Sequence, residues 1–342
     1  MDEIISWLTR LINYDTTSSG RDAELCADFI ERILRKKGAM TERFTTFGNV
    51  RDGFHLVAEV PGESSRAIML HAHLDTASYG EKQDWIVPAD RASHINDRIC
   101  GRGALDCKGP LAVWMKLLSN AAEGKKRGYT LRLLVTDLDE EGGSAGLGKL
   151  IHDHPEILSD VSVVIGEGGG YPFPFRDKIL YTFQTGERDY KETERSNEND
   201  SGHISEILSL GIRKGYYSDD ILDYASDAPH LSGRRLDIRP LYDGMEDFFE
   251  NSAESDVFAR YGKVFERSLI TEIPGAHVLP VITPGFSDNR WFRRMGLPVI
   301  GFFPLVLSNS LGGIHGKNEY ISEASLTLAY TTVSAILDEL RL

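Results

Sequence analysis

A buried strand that ends in closely spaced acids constrains this chain more than any other feature. The run from Leu131 to Thr136 is apolar and partly β-branched, which predicts a strand covered on both faces. Four acids follow within five residues, namely Asp137, Asp139, Glu140 and Glu141. Neighbouring carboxylates repel each other and lose hydration there, so Glu140 and Glu141 can both be ionised only beside a cation. Alone, the stretch would be more typical of a solvated loop after a strand. Other potential ligands in the chain favour a cation site instead.

A second strand carries histidines toward its end. The run Arg66–Thr76 is apolar until it reaches His71, His73 and Asp75, which are two residues apart and therefore predicted to share one face. A strand-end histidine is often only a hydrogen-bonded core residue. His-x-Asp is also typical of a metal ligand whose second ring nitrogen is held by a carboxylate.

The order of predicted elements indicates an α/β fold. Helices are predicted over 3–13, 22–37, 111–118 and 146–154 and from 322 onward, and strands over 54–60, 66–76, 131–136, 161–165 and 298–303. Polar residues gather where strands end. We therefore expect a mixed, mostly parallel sheet flanked by helices, with its site at the carboxyl edge.

The middle of the chain has a different composition. Residues 186–200 are too polar to pack, and short mixed elements are predicted after them. We predict a catalytic domain over 1–183 and 274–342, interrupted by a smaller α+β domain over 184–273.

Composition narrows the class of protein. The chain has 342 residues, 41% of them hydrophobic, and a net charge of −14, which disfavours nucleic acid as a partner. The three cysteines, Cys26, Cys100 and Cys107, form no CxxC pair, as is typical of a reducing compartment. The acidic start and the lack of a long apolar run predict a cytoplasmic protein that does not bind membranes.

Several motifs together resemble those of the M20 family of metallopeptidases. They are His73-Leu-Asp75, Gly101-Arg-Gly-Ala-Leu-Asp106-x-Lys108-Gly, Asp139-Glu-Glu141, Gly166-Glu167, Pro284-Gly-Phe-Ser-Asp-Asn-Arg-Trp-Phe292 and Ile314-His-Gly-x-Asn-Glu319. The family includes glutamate carboxypeptidase, aminoacylases, acetylornithine deacetylase and succinyl-diaminopimelate desuccinylase. The motifs occur in the family's order and cover most of residues 60–170 and 280–320.

The resemblance implies a centre with two divalent metal ions, and it assigns a role to each motif residue. His73 and Glu167 would bind one metal, Glu141 and His315 the other, and Asp106 would bridge them. Asp75 would orient His73, and Glu140 would be the general acid/base acting on a metal-bridging water. Imidazole and carboxylate ligands suit Zn²⁺, while Co²⁺ and Mn²⁺ remain open.

The resemblance also implies a lid domain, which here departs from the family pattern. Gly202-His203-Ile-Ser205 is a candidate for the motif whose histidine stabilises the oxyanion, often in a partner subunit, so a homodimer is possible. No Asn-x-x-Pro motif precedes Arg239, and the insert is shorter than usual. Arg239 and Arg290 are candidates for binding a substrate carboxylate, although either could form a structural ion pair.

The function implied is hydrolysis of an amide bond in a small peptide or N-acyl amino acid that has a free carboxylate. Carboxypeptidase or dipeptidase activity and deacylase activity are not separable from the sequence, because they differ in the walls of the pocket. Two alternatives stay open: an aminopeptidase with a similar two-metal core, and a noncatalytic metal-binding homologue with a degenerate lid.

Overall fold

The computed structural model describes residues 1–48, 50–175, 178–187, 253–283 and 287–342. Its helices are α1 (Asp2–Ile12), α2 (Ala23–Lys36), α3 (Lys108–Glu123), α4 (Lys149–Asp153), α5 (Ala253–Glu272), α6 (Asn289–Arg294) and α7 (Glu323–Glu339). Its strands are β1 (Met40–Thr46), β2 (Gly53–Val60), β3 (Ala67–His73), β4 (Ser93–Ile95), β5 (Arg98–Cys100), β6 (Thr130–Thr136), β7 (Val161–Gly166), β8 (Pro172–Phe175), β9 (Lys178–Glu187), β10 (Ala276–Thr283), β11 (Val299–Gly301) and β12 (Tyr320–Ser322).

In these residues, one mixed sheet has the order β1-β2-β6-β3-β7-β11-β9-β10, with β8 beside β9. The centre, from β6 through β3 and β7 to β11, is parallel. The β1-β2-β6 side is antiparallel, and β9 runs antiparallel to β11. The α/β class and the helix-flanked, mixed sheet predicted from the sequence are confirmed.

Strand alternation divides the core into two layers. On β3, Ile68, Leu70 and Ala72 pack into the larger layer, which also receives residues of α1, α2, α3, α5 and α7. Ala67 and Met69 pack into the smaller layer with residues of α4 and α6. His71 and His73 have the same parity as Met69, so they belong to the side of α4 and α6.

Each helix and strand predicted above for residues 1–183 and 274–342 has a counterpart, with local differences at the ends. The short mixed elements predicted after residue 200 lie outside the described residues. The helix predicted over 146–154 begins at Lys149, because the backbone of Gly146 is not helical, with φ −88° and ψ −112°. The strand predicted over 298–303 is reduced to Val299–Gly301.

Helix α5 lies inside the range predicted for the inserted domain, but it packs on the catalytic sheet. Tyr261, Phe265 and Leu269 are buried in the larger core layer, and the ring of Phe265 lies 5.1 Å from that of Phe183 on β9. The described part of the predicted insert thus packs with the catalytic domain. No helix in the described ranges is long and apolar enough to cross a membrane.

His55 is a buried histidine with both ring nitrogens occupied. Its Nδ1 accepts a hydrogen bond from the backbone N–H of Asp137 at 3.2 Å, so Nε2–H donates to Thr46 Oγ1 at 2.9 Å. Burial lowers the pKa of His55 to about 3. A protonated ring would lose the Asp137 hydrogen bond, so this histidine is held neutral.

We therefore predict that His55 makes folding acid-sensitive. Its folded pKa lies below the unfolded value of about 6.5, so its stabilisation is present above pH 6.5 and is lost as the pH falls toward 3. Between pH 7 and pH 5 the free energy of unfolding should fall by about 2 kcal/mol through this residue. Urea titrations at pH 7 and pH 5 measure the free energy of unfolding. Its decrease between the two pH values should be smaller in His55→Gln than in the wild type, by about 2 kcal/mol.

His152→Gln is the matched control, because the side chain of His152 is 84% exposed. It should leave the pH dependence of unfolding unchanged. An equal pH dependence in wild type and His55→Gln would show that His55 is not held neutral.

Candidate metal centre

Three neighbouring parallel strands deliver the predicted ligands to one edge of the sheet. His73 is the last residue of β3, Glu140 and Glu141 follow the end of β6, and Glu167 follows β7. Asp106 comes from the turn before α3, and His315 from the loop before β12. Because the carboxyl ends of parallel strands meet at the same edge, residues far apart in sequence converge there.

Asp106 lies between the two histidines. Its Oδ1 is 3.2 Å from His73 Nε2, and its Oδ2 is 3.0 Å from His315 Nε2. One carboxylate thus presents one oxygen to each imidazole. This is the arrangement expected of a group that is shared by two adjacent sites.

Each histidine has a further carboxylate beside it. His73 Nε2 is 3.3 Å from Glu167 Oε1 and 3.8 Å from Asp139 Oδ2. His315 Nε2 is 3.0 Å from Glu140 Oε2. The centre therefore divides into a half around His73 and a half around His315, which meet at Asp106.

Asp75 joins the histidine strand to the acidic loop. The Nδ1–H of a neutral His73 donates to the backbone carbonyl of Asp75 at 3.0 Å, and Asp75 Oδ1 lies 3.4 Å from the same nitrogen. Asp75 Oδ2 accepts a hydrogen bond from the backbone N–H of Glu140 at 2.9 Å. The carbonyl fixes the tautomer of His73 and leaves Nε2 to bind an ion.

The donor set fits a divalent metal. A tetrahedral ion with bonds of 2.0–2.1 Å separates neighbouring ligand atoms by roughly 3.3 Å, and His73 Nε2 lies 3.2 Å from Asp106 and 3.3 Å from Glu167. Within the described residues, Glu140 Oε1 and Glu141 Oε1 are buried without a hydrogen-bond partner. Buried carboxylate oxygens of this kind are satisfied by a cation.

The pKa values in the centre indicate a strong demand for positive charge. Burial would lower the pKa of His315, but the hydrogen bonds that its ring donates to Asp106 and Glu140 raise it to about 11. Burial raises the pKa of Glu167 to about 8. Burial would also raise the pKa of Asp106, but the two histidines hold it well below its usual value. Protons on His315 and Glu167 supply the charge that a metal would otherwise provide.

Glu319 connects the two loops that carry Asp106 and His315. Its carboxylate is fully buried and accepts hydrogen bonds from the backbone N–H groups of Gly103, Leu105 and Asp106 at 3.0, 2.8 and 3.0 Å. Arg102 Nη1 donates to Glu319 at 2.8 Å, and Nη2 donates to the carbonyl of Gly316 at 2.7 Å. The sequence motifs contain both residues, but only the fold reveals this role.

Asn289 connects Glu167 to β9, the strand that runs into the predicted insert. Its Nδ2 donates to the backbone carbonyl of Glu167 and to Gln184 Oε1, both at 2.9 Å. Arg293 Nη2 donates to the same Gln184 oxygen at 3.0 Å, and Arg293 Nη1 lies 3.1 Å from Glu187 Oε1. This buried network fixes the turn that carries Glu167.

Arg51 and Asp137 fix the base of the acidic loop. Arg51 donates to both oxygens of Asp137 at 2.6 and 2.7 Å, and the same carboxylate accepts from the backbone N–H of Leu138 and of Phe54. Asp137 is fully buried. Asp137 is therefore the structural partner of an arginine. It lies at the start of the turn that leads to Glu140.

The contacts of His71 lie outside the candidate metal centre. It is fully buried, its Nε2 lies 2.9 Å from Thr136 Oγ1 and 3.5 Å from Asp288 Oδ2, and its ring packs edge-on against Phe292. Burial lowers its pKa to about 3. His71 is thus a hydrogen-bonded core histidine, as strand-end histidines often are.

The candidate substrate residues are only partly described. Arg290 donates from Nη2 to the backbone carbonyl of Gly142, directly after the Glu140–Glu141 pair, and its guanidinium lies over the ring of Trp291. His203 and Arg239 lie outside the described residues. Their roles remain predictions.

Comparisons with known proteins identify curated relatives that match part of this chain. The cysteinylglycine-S-conjugate dipeptidase of Corynebacterium striatum is 30% identical over 146 residues, which are 43% of this chain and 32% of that protein. Carboxypeptidase G2 of Pseudomonas sp. is 27% identical over 162 residues, 46% of this chain and 37% of that protein. The match thus spans about a third of the length of these curated relatives.

The fold comparison covers the chain as a whole. The M20 family metallo-carboxypeptidase Sso-CP2 from Sulfolobus solfataricus superposes with a TM-score of 0.68 over 98% of this chain and 99% of that one, at 16% identity. The family model described as Peptidase family M20/M25/M40 matches residues 69–339. This chain therefore belongs to peptidase family M20/M25/M40.

Proposed function

We propose that this chain is a two-metal amide hydrolase that acts on dipeptides, on the C-terminal bond of small peptides or on N-acyl amino acids. The observation that carries the proposal is the shared position of Asp106, with one oxygen at His73 and the other at His315. A dipeptidase and a carboxypeptidase are among the relatives, which supports a small substrate with a free carboxylate.

His73, Glu167 and His315, with Asp106 between them, would hold the metal ions, and Glu141 would complete the His315 half. A neighbour of this fold is named a metallo-carboxypeptidase, which supports this composition. Divalent ions such as Zn²⁺ polarise a carbonyl and lower the pKa of a bound water. Co²⁺ and Mn²⁺ accept the same nitrogen and oxygen ligands.

Glu140 would move the proton. Its Oε2 faces His315, while its Oε1 is buried and has no hydrogen-bond partner among the described residues. An unpartnered carboxylate oxygen can accept a proton from an attacking water and pass it to the leaving nitrogen. Asp75 holds the backbone N–H of Glu140, so it would position both the base and His73.

Arg290 would bind the substrate carboxylate near the acidic loop. Its hydrogen bond to the carbonyl of Gly142 keeps the guanidinium beside the loop that carries Glu140. A planar guanidinium can bind a carboxylate with two parallel hydrogen bonds. The predicted insert, with His203 and Arg239, would supply the remaining contacts.

The adjacent acids allow a sharp test of the assignment. Glu140→Gln should keep its metal content and lose turnover by about 10²–10⁴-fold, because it removes the proton acceptor. Glu141→Gln should bind less metal, because it removes a ligand. Metal analysis and kcat should be measured for both variants on a panel of dipeptides and of N-acetyl, N-succinyl and N-aroyl amino acids.

The two variants control each other, since the substitution is identical and the positions are adjacent. If Glu140→Gln loses metal while Glu141→Gln keeps metal and loses turnover, the two roles are reversed. If the wild type binds metal but hydrolyses nothing in the panel, the noncatalytic alternative is favoured. Turnover that requires a free substrate amine would favour an aminopeptidase.

A second test concerns Glu319, which holds the Asp106 and His315 loops together without touching the centre. Glu319→Gln places an amide where three backbone N–H groups and Arg102 need an anion. Metal affinity should fall about 10–100-fold, as for groups that orient ligands. Competition with a chelating dye measures this affinity. Glu63→Gln, at an exposed position, is the control, and equal affinity in both variants would contradict the role of Glu319.

A further inference from the structure

Cys107 is a buried thiol that the proposed metal ligands leave unused. It follows Asp106 directly, precedes the first residue of α3 and is fully buried. Its sulfur, a ring nitrogen of His73 and a carboxylate oxygen of Glu167 all lie within 4.8 Å of one another. His73 and Glu167 are the two residues proposed for one metal ion, so the sulfur lies at the same half of the centre.

The other cysteines serve as a comparison. Cys26 is on α2 and Cys100 on β5, and neither belongs to a group of potential ligands among the described residues. A buried free cysteine is most often a small apolar residue of the core. Cys107 differs from that case because a histidine and a glutamate present ligand atoms to its sulfur.

The distances suit a common ion. His73 Nε2 is already 3.3 Å from Glu167 Oε1. In a tetrahedral zinc site with a sulfur bond of 2.3 Å, the sulfur lies about 3.5–3.7 Å from the other ligand atoms. The sulfur of Cys107 lies no more than 4.8 Å from the ligand atoms of His73 and Glu167. The excess over the zinc geometry is therefore at most little more than an ångström, which rotation of side chains can close.

We propose that Cys107 is a further ligand of the metal ion held by His73 and Glu167. The proposal rests on the metal centre proposed above and adds a sulfur donor to it. The thiol releases its proton to solvent as the metal–sulfur bond forms, so the bound group is a thiolate. A thiolate favours Zn²⁺ and Co²⁺ over Mn²⁺ and Mg²⁺, which prefer oxygen ligands.

The test is spectroscopic and does not depend on turnover. The zinc-loaded protein should show a sulfur neighbour at about 2.3 Å in X-ray absorption. The cobalt-loaded protein should show a sulfur-to-cobalt charge-transfer band in the near ultraviolet. Cys107→Ser should lose both signals, and Cys26→Ser should keep both.

A wild-type protein that binds metal with only nitrogen and oxygen neighbours would overturn the proposal, and this result needs no variant to fold. A band that survives in Cys107→Ser, or a protein that binds no metal, would overturn it as well. The proposed hydrolysis is tested separately. A sulfur signal without turnover would contradict the proposed function alone, and turnover without a sulfur signal would contradict the role of Cys107 alone.

Discussion

Negative charge that is buried at the carboxyl edge of the sheet is the constraint on which the rest of the structure depends. The acids that meet there are Asp75, Asp106, Asp139, Glu140 and Glu167. Among the described residues, two imidazoles, those of His73 and His315, reach into this cluster. Such an arrangement is costly in a low-dielectric site unless cations or protons neutralise it. The raised pKa values of Glu167 and His315 express the same demand.

Much of this arrangement could be predicted from the sequence, because it follows from local patterns and one rule of topology. The apolar run Leu131–Thr136 and the motif at His73 predict strands, and parallel strands bring their carboxyl ends together. Asp106 and His315 are different, since 209 positions separate them in sequence. No periodicity relates them, so only the resemblance to a family could pair them in advance.

The supporting contacts could not be predicted, and the physical reason is the same in each case. Glu319 is satisfied largely by backbone N–H groups, which every residue has and no sequence pattern marks. Cys107 approaches His73 only because β3 and the start of α3 are neighbours in space. Helix α5 lies within the range predicted for the insert, and no sequence pattern marks that its buried residues pack on the catalytic sheet.

The supporting contacts also explain how anionic loops can be rigid before any ion binds. Behind each loop, an arginine pairs with a buried carboxylate: Arg51 with Asp137, Arg102 with Glu319, and Arg293 with Glu187. Each arginine forms an ion pair with its own carboxylate. Its positive charge therefore offsets part of the negative charge of the centre without occupying a ligand position.

Buried ion pairs of this kind contribute little net stability, because desolvation offsets their attraction. Their contribution here is to fix the orientation of backbone groups through hydrogen bonds. Asp137 accepts from Leu138 and Phe54, Glu319 from the Asp106 turn, and the Arg293 pair acts through Gln184 and Asn289 on the backbone of Glu167. Each pair thus fixes the backbone of one ligand loop and leaves its side chains available. Since a metal site requires ligands placed within a few tenths of an ångström, this second layer supplies the precision that the loops themselves lack.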